Sequence, residues 1–156
     1  MDFEPIPTAR LQLLPVSADT ARAIVAGNLT GLSPAAGWPH EDTADGLSMA
    51  IKHGHPAGWM VTLDGEVIGD CGTHGRADDT GTVEIGYGLA APYQGRGYGT
   101  EVVQAITDWL SGQQGVHVVR ASTLQDNVAS RRVLEKAGFR LTGFDEEDQA
   151  VYERTA

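Results

Sequence analysis

A glycine-rich stretch, PYQGRGYGTE at residues 92–101, constrains the fold of this chain more than any other feature. The segment before it, residues 82–89, favours a strand. After it, Val102, Ile106 and Leu110 belong to an apolar series with the spacing of an amphipathic helix. Residues 116–124 then favour another strand. A strand, helix, strand crossover of this kind requires two parallel or nearly parallel strands in one sheet.

The other segments predict a mixed α/β domain with the order β-α-α-β-β-β-α-β-α-β-β. Helices are expected from Ser17 to about Asn28, with Ile24 and Val25 facing inward, from Asp42 to about His53, and from Asp126 or Asn127 to Ala137. Strands are expected at 10–14, on both sides of the hairpin signal Asp64-Gly65, and at 139–144 and 150–154. No repeat or linker interrupts this series, so residues 1–156 are expected to form a single domain.

Composition narrows the range of partners. A formal net charge of −10 argues against nucleic acid or an anionic membrane surface as the ligand. The sequence encodes neither a membrane-spanning apolar run nor a secretory signal, so a cytoplasmic protein is expected. Cys71 is the one cysteine, which excludes an internal disulfide and argues against a zinc cluster, so no metal is expected.

A glycine-rich turn between a strand and a helix brings free backbone N–H groups and the positive end of the helix together, and therefore favours a phosphate ligand. Two familiar nucleotide motifs do not fit it. A P-loop requires a lysine, and none lies near this turn. A dinucleotide fingerprint would use Gly95 and Gly97, but it requires Gly or Ala where Thr100 stands.

The pattern that fits is Gln-x-x-Gly-x-Gly, formed by Gln94, Gly97 and Gly99. It resembles the acetyl-CoA-binding motif of the GNAT superfamily of N-acetyltransferases. NVASRRVLEKAGF at residues 127–139 resembles the N-x-x-S/A…K-x-G-F helix of that superfamily, and residues 10–13 resemble the opening strand of its RimJ/RimL-like branch. The resemblance implies the GNAT fold, with a central, mostly antiparallel, twisted sheet, a splayed parallel strand pair and flanking helices.

The resemblance also implies acetyl-CoA as co-substrate. The turn amides would grip its pyrophosphate, and a backbone N–H near Gly88 or Leu89 would polarise the thioester carbonyl. A side chain in place of the turn glycines would hold the diphosphate off those amides. The residues expected to contact the coenzyme are Leu89, Gln94, Gly95, Arg96, Gly97, Tyr98, Gly99, Thr100, Asn127 and Ser130.

Two residues are expected to act in catalysis. Glu84 lies on the small-residue side of its strand and is the first candidate for the base, with His74 as a second candidate; the alternative for Glu84 is an exposed or acceptor-binding carboxylate. Many relatives carry a tyrosine acid at the position of Leu134, so that role does not transfer. Ser130 matches the serine that lies near the coenzyme sulfur in RimJ/RimL-like members, unless it is a plain helix-surface serine.

The acceptor side is expected around the loop and second helix, as in relatives. Ring contacts and negative charge there can recognise a cationic amine. The alternative is that these are ordinary loop residues with no part in binding. The residues concerned are Trp38, His40, His53, His55 and Trp59, with Glu41, Asp42 and Asp45. The expected function is direct acetyl transfer from acetyl-CoA to a primary amine, either a protein N-terminus or a small cationic amine. The alternative is a coenzyme-A-binding module without turnover, and a homodimer remains open because relatives often pair.

Overall fold

The described helices pack on the two faces of a single sheet. The computed structural model describes residues 2–156. The helices are α1 (Ala18–Val25), α2 (Thr43–His53), α3 (Tyr98–Ser111) and α4 (Val128–Lys136), with a short 3₁₀ turn at Ala91–Tyr93. The strands are β1 (Ile6–Pro7), β2 (Gln12–Pro15), β3 (Trp59–Leu63), β4 (Glu66–Thr73), β5 (Thr82–Leu89), β6 (Val118–Thr123), β7 (Arg140–Phe144) and β8 (Ala150–Thr155). Across the described residues they form an eight-stranded sheet in the order β1-β2-β3-β4-β5-β6-β8-β7.

The crossover predicted from the sequence is confirmed. β5 and β6 are parallel and are connected through α3, whereas the other neighbouring strands among residues 2–156 pair antiparallel. This mixed sheet with helices on both sides is the architecture that the sequence predicted.

The parallel pair separates halfway along β5. β5 pairs with β6 from Thr82 to Ile85, but it continues beside β4 as far as Leu89. The carbonyl of Glu84 and the amide of Ala90 both bond to β4 or its end, at 2.8 Å each. Backbone groups of successive strand residues point to opposite edges. The N–H groups of Tyr87 and Leu89 therefore point into the gap between β5 and β6.

Each face of the sheet has its own apolar cluster. Ile85, Ile106 and Leu134 belong to the cluster beneath α3 and α4. Ala21, Leu47 and Met60 belong to the cluster beneath α1 and α2. Along β5, Val83 and Ile85 are buried in the first cluster, with Tyr87 and Leu89 packed against it, as the alternation of the sequence predicted. The pairing of β5 with β4 is regular, so no bulge shifts this alternation.

Local signals account for most element boundaries. Ser17 caps α1 by accepting a hydrogen bond from the Thr20 amide, and Asn127 caps α4 by accepting one from the Ser130 amide. Asp64 and Gly65 both have positive φ, at 51° and 84°, as the two-residue hairpin between β3 and β4 requires. Cys71 is buried in β4, as expected of a small strand residue.

Several predicted details were wrong. α1 ends at Val25 rather than near Asn28, because Gly27 adopts a left-handed φ of 81° just after it. Val25 is 39% exposed and does not face the core. β1 was not predicted, since two residues are too few to show alternation. α3 begins at Tyr98, so Gly99 and Thr100 lie in its first turn rather than before it. No helix among residues 2–156 has the length and apolar character needed to cross a bilayer.

Candidate active site

The glycine turn presents a row of free backbone amides at the start of α3. Gly95 and Gly97 have φ of 74° and 84°, a left-handed conformation that favours glycine, and Gly97 is the N-cap of the helix. The first α3 hydrogen bond runs from the Glu101 amide to the Gly97 carbonyl. Within residues 2–156, the amides of residues 95–100 donate to no protein acceptor. Free N–H groups and the positive helix end therefore converge on one exposed spot, which suits an anion.

The three glycines of the turn serve different purposes. The space where a side chain would extend from Gly95 is open, so its positive φ is the constraint there. Gly99 is buried, and a Cβ on it would lie 3.3 Å from Cγ2 of Val133. Glycine at 99 thus allows α3 to pack closely on α4. This packing is a reason for glycine at 99 that the sequence did not reveal, and the expectation that the turn glycines keep side chains away from a diphosphate stays a prediction.

The sequence did not reveal a brace formed by the N-terminal segment. Arg10 donates from Nε to Glu101 at 2.9 Å and from Nη1 to the Arg96 carbonyl at 3.1 Å. Its guanidinium carbon lies 4.3 Å from the centre of the Tyr98 ring. Thr8 also donates to the Glu101 carboxylate. Because these contacts hold carbonyl and side-chain groups, they fix the turn while leaving its amides free.

Gln94 links the turn to the open end of β5. Its Nε2 donates to the Leu89 carbonyl at 3.0 Å. That bond satisfies the carbonyl, so the group that Leu89 presents to the gap is its N–H. The amide of Gly88, in contrast, points towards β4 by the same alternation. Of the two amides expected to polarise a thioester, the geometry therefore favours that of Leu89.

Two hydroxyl groups meet beside α4 at the mouth of the gap. Ser130 Oγ lies 2.9 Å from the Tyr87 hydroxyl. Burial raises the pKa of Tyr87 above its ordinary value, so the phenol stays protonated. Oδ1 of Asn127 caps the helix through the Ser130 amide at 3.0 Å, which leaves its Nδ2 group for a ligand. Leu134, which the sequence excluded as the acid, is buried in the core.

The candidate base Glu84 forms a hydrogen bond with His74 on the face of the sheet opposite to Ser130 and Tyr87. Nδ1 of His74 lies 2.6 Å from Oε2 of Glu84, and the Ser122 hydroxyl donates to Oε1 at 3.4 Å. The hydrogen bond to His74 holds the pKa of Glu84 below its ordinary value, although partial burial opposes this. The two residues that the sequence considered separately thus form one pair.

A cavity of about 220 Å³ opens on this face between α2 and the ends of β4 and β5. Its lining includes His40, Asp42, Asp70 and His74. Asp70, which the sequence did not single out, accepts hydrogen bonds from Trp38 Nε1 at 2.9 Å and Thr43 Oγ1 at 2.7 Å. Nε2 of His40 lies 3.2 Å from the same carboxylate, which raises the pKa of this histidine. The lining residues include no Lys or Arg.

The aromatic and histidine cluster expected on the acceptor side is only partly present. Trp38 and His40 are there, and Asp42 lines the cavity. Trp59 is buried on the other face of the sheet, where it stacks on Phe3, because its register in β3 turns the side chain towards α3. His53, His55, Glu41 and Asp45 are not among the lining residues. Among residues 2–156, no set of three or more His, Cys, Asp or Glu side chains is arranged to hold a metal ion.

Comparison with known proteins gives consistent results. A family model described as an acetyltransferase (GNAT) domain matches residues 10–140. YjdG of Bacillus subtilis (strain 168), named as an uncharacterized N-acetyltransferase, is 27% identical over an aligned length of 111 residues, and the match covers 65% of this chain and 66% of YjdG. This chain spans less than two thirds of the length of the curated relatives it matches.

Solved structures share the fold at low sequence identity. RimL, named as a ribosomal α-N-protein acetyltransferase and solved with coenzyme A, is 21% identical with a TM-score of 0.71, and the match covers 97% of this chain and 98% of RimL. The aminoglycoside acetyltransferase AAC(6')-Ib, also solved with coenzyme A, is 20% identical with a TM-score of 0.68, covering 93% of this chain and 94% of that one. The family match reaches from just before β2 to the start of β7, and we conclude that this chain belongs to the GNAT acetyltransferase family.

Proposed function

We propose that this protein transfers an acetyl group from acetyl-CoA directly to a primary amine. The observation that carries the proposal is the row of unbonded amides at residues 95–100, which lies at the same end of β5 as the gap between β5 and β6. A diphosphate on those amides and a thioester at that gap match the two ends of one extended molecule. RimL and AAC(6')-Ib, which share the fold, were both solved with coenzyme A.

Main-chain groups bind the coenzyme in this proposal. The amides of Arg96, Gly97, Tyr98, Gly99 and Thr100 hold the pyrophosphate, supported by the positive end of α3. The chain of the coenzyme then follows the free edge of β5. The Leu89 N–H donates to the thioester oxygen and stabilises the negative charge that develops there. Gln94 supports that site indirectly, because it holds the Leu89 carbonyl.

Side chains on both sides of the gap move protons. Asn127 donates from Nδ2 to an amide carbonyl of the coenzyme arm, and Ser130 gives its proton to the sulfur as the thiolate leaves. The partly buried Tyr87 hydroxyl stabilises the resulting Ser130 oxygen. On the acceptor face, the pair of Glu84 and His74 removes the proton that the attacking amine must lose.

The acceptor is proposed to be a cationic primary amine that occupies the cavity beside α2. Asp42 and Asp70 place negative charge in its lining, with no lysine or arginine beside them. An α-amine has an ordinary pKa of about 8 and a lysine-like amine one of about 10, so either acceptor is positively charged near neutral pH. A protein N-terminus and a small polyamine both meet this requirement, as does an aminoglycoside.

Release of free coenzyme A in the presence of a panel of amines tests the proposal. The panel consists of a short peptide with a free α-amine, spermidine and the aminoglycoside paromomycin, with N-acetylated peptide as the unreactive control. We expect one or more of the three amines to accelerate thiol release and to gain 42 Da by mass spectrometry, as addition of one acetyl group requires. Tight acetyl-CoA binding with thiol release at the background rate for every amine would instead indicate a coenzyme-A-binding module without turnover.

A further inference from the structure

We propose that His74 Nε2, rather than the Glu84 carboxylate, accepts the proton of the attacking amine, and that Glu84 acts through His74 as a positioning residue. This inference rests on the proposed function, because a base of this kind is needed only if an amine is acetylated. It assigns each member of the pair one role and predicts different behaviour for two conservative variants.

The hydrogen bond between the two side chains fixes the imidazole tautomer. Oε2 of the ionised Glu84 accepts from Nδ1 of His74 at 2.6 Å, so Nδ1 carries the hydrogen. The lone pair of the neutral ring is then on Nε2. Among residues 2–156, no side chain or backbone group forms a hydrogen bond with Nε2. His74 also lines the cavity assigned to the acceptor.

The backbone of β5 is shaped to receive this ring. A Cβ on Gly86 would lie 2.7 Å from Nε2 of His74, which is closer than real side chains approach. Glycine at 86 therefore lets the imidazole lie directly on the strand, beside the segment where β5 leaves β6. Glycine in a strand interior normally weakens the strand, and Gly86 has a structural reason to be there because it makes room for the histidine.

Glu84 is poorly suited to accept the proton itself. Oε2 is engaged by His74 and Oε1 by the Ser122 hydroxyl. The pKa of Glu84 is lowered by the bond to His74, which makes the carboxylate a weaker base than an ordinary one. An ordinary histidine, with a pKa of about 6.5, is closer to neutral pH than an ordinary glutamate at about 4.3, and a general base works best near the operating pH.

Charged groups around the ring come from each element next to it. Glu84 on β5 contacts the ring directly, and Arg120 on β6 acts on Glu84 from the far side. Asp42 at the start of α2, Asp70 on β4 and His40 are the other charged or histidine side chains of the cavity lining, which also includes Cys71 on β4 and Tyr87 on β5. The carboxylates stabilise the imidazolium that forms when Nε2 takes a proton.

The proton balance closes with these residues. The acceptor ammonium loses one proton to solvent, and the free amine nitrogen bonds to the thioester carbon. The same nitrogen loses a second proton to Nε2 of His74, and the carbon–sulfur bond breaks as the carbonyl re-forms. The sulfur takes a proton from Ser130, which is replaced from solvent. His74 then passes its proton to solvent. Two protons thus leave nitrogen and one is taken up by sulfur through Ser130, so one net proton enters solvent.

The kinetic test compares His74→Gln with Glu84→Gln across pH 5 to 9, using whichever of the peptide, spermidine and paromomycin is acetylated. His74→Gln should lower kcat by about 100-fold or more and remove the acidic inflection from the rate profile. Glu84→Gln should keep the inflection and lower kcat by a smaller factor, because the nitrogen that accepts the proton is still present. His117→Gln, an exposed histidine at the far end of β6, should behave as the unmodified protein.

Two results would overturn the assignment. One is an inflection that vanishes in Glu84→Gln and persists in His74→Gln, which would make the carboxylate the base. The other is a tautomer measurement by ¹⁵N NMR, which needs no turnover and so separates failure of this inference from failure of the proposed function. We expect the neutral His74 ring to carry its hydrogen on Nδ1, and Glu84→Gln to weaken that preference. A hydrogen on Nε2 in the unmodified protein would contradict the proposal.

Discussion

The two sides of the gap between β5 and β6 present different kinds of chemical groups, backbone amides on one side and side chains on the other. The proposed coenzyme side consists of backbone amides of one continuous segment, residues 95–100, whose conformation follows from Gly95 and Gly97. The proposed acceptor side consists of side chains such as His40, Asp70 and His74, from segments well apart in the chain. Binding through backbone amides survives most side-chain substitutions but is lost when the φ angles change. Binding through side chains can be altered by substituting one residue at a time.

The largest effect should come from changing the backbone site. Gly97→Trp forces a side chain onto a φ of 84° beside the free amides, and should weaken acetyl-CoA binding by more than about 100-fold in calorimetry. Gly27→Trp is the matched control, because Gly27 has a similar φ of 81° with open space around it and lies outside the site. It should lose comparable stability, about 1–2 kcal/mol, but bind coenzyme normally. Unchanged affinity in Gly97→Trp would contradict the turn assignment.

These two regions also differed in how well the sequence predicted them. The turn, the cap at Asn127 and the crossover follow from local spacing and backbone preference, so short segments were enough. The contact of Arg10 with the Arg96 carbonyl joins residues 86 positions apart, and Asp70 meets Trp38 across 32 positions. Such pairs depend on strand order and register, which local patterns do not specify. Trp59 was placed on the wrong side for the same reason, since its face is set by the register of β3.

A smaller effect is expected where the two sides meet at Ser130. Ser130→Ala removes the hydroxyl that bonds to Tyr87 and should lower kcat by about 10- to 100-fold, because the leaving sulfur loses its proton donor. The dissociation constant of acetyl-CoA should change much less. Ser111→Ala is the control, since its hydroxyl only bonds to the Thr107 carbonyl within α3. Equal losses in turnover and binding would make Ser130 a binding residue rather than an acid.

The contacts of Arg10 behind the turn should have a smaller effect, on coenzyme affinity. Arg10→Ala removes the bonds to Glu101 and to the Arg96 carbonyl and should weaken coenzyme binding by about two- to five-fold, the range expected for a half-exposed ion pair. Arg22→Ala, which breaks an exposed pair with Asp19 on α1, should not alter binding. Titration calorimetry of both variants measures the difference, and identical affinities would show that the turn holds its shape without the brace.

The smallest expected effect concerns stability on the acceptor side. The Asp70 carboxylate raises the pKa of His40 in the folded protein above its ordinary value of 6.5. The stabilisation is therefore fully present below about pH 6.5 and is lost as pH rises through the raised folded pKa. His40→Gln should lose less than about 1 kcal/mol relative to the unmodified protein at pH 5.5, and the difference should shrink by pH 9. Urea unfolding at both pH values checks this. A difference in unfolding free energy between the two proteins that grows with pH would contradict it.

A crystal structure of the complex with acetyl-CoA tests the central claim most directly, because it shows whether backbone amides bind the diphosphate. We predict diphosphate oxygens within about 3.2 Å of amides from residues 96–100, and the thioester oxygen at a similar distance from the Leu89 N–H. A diphosphate bound elsewhere, with these amides still facing solvent, would contradict the account.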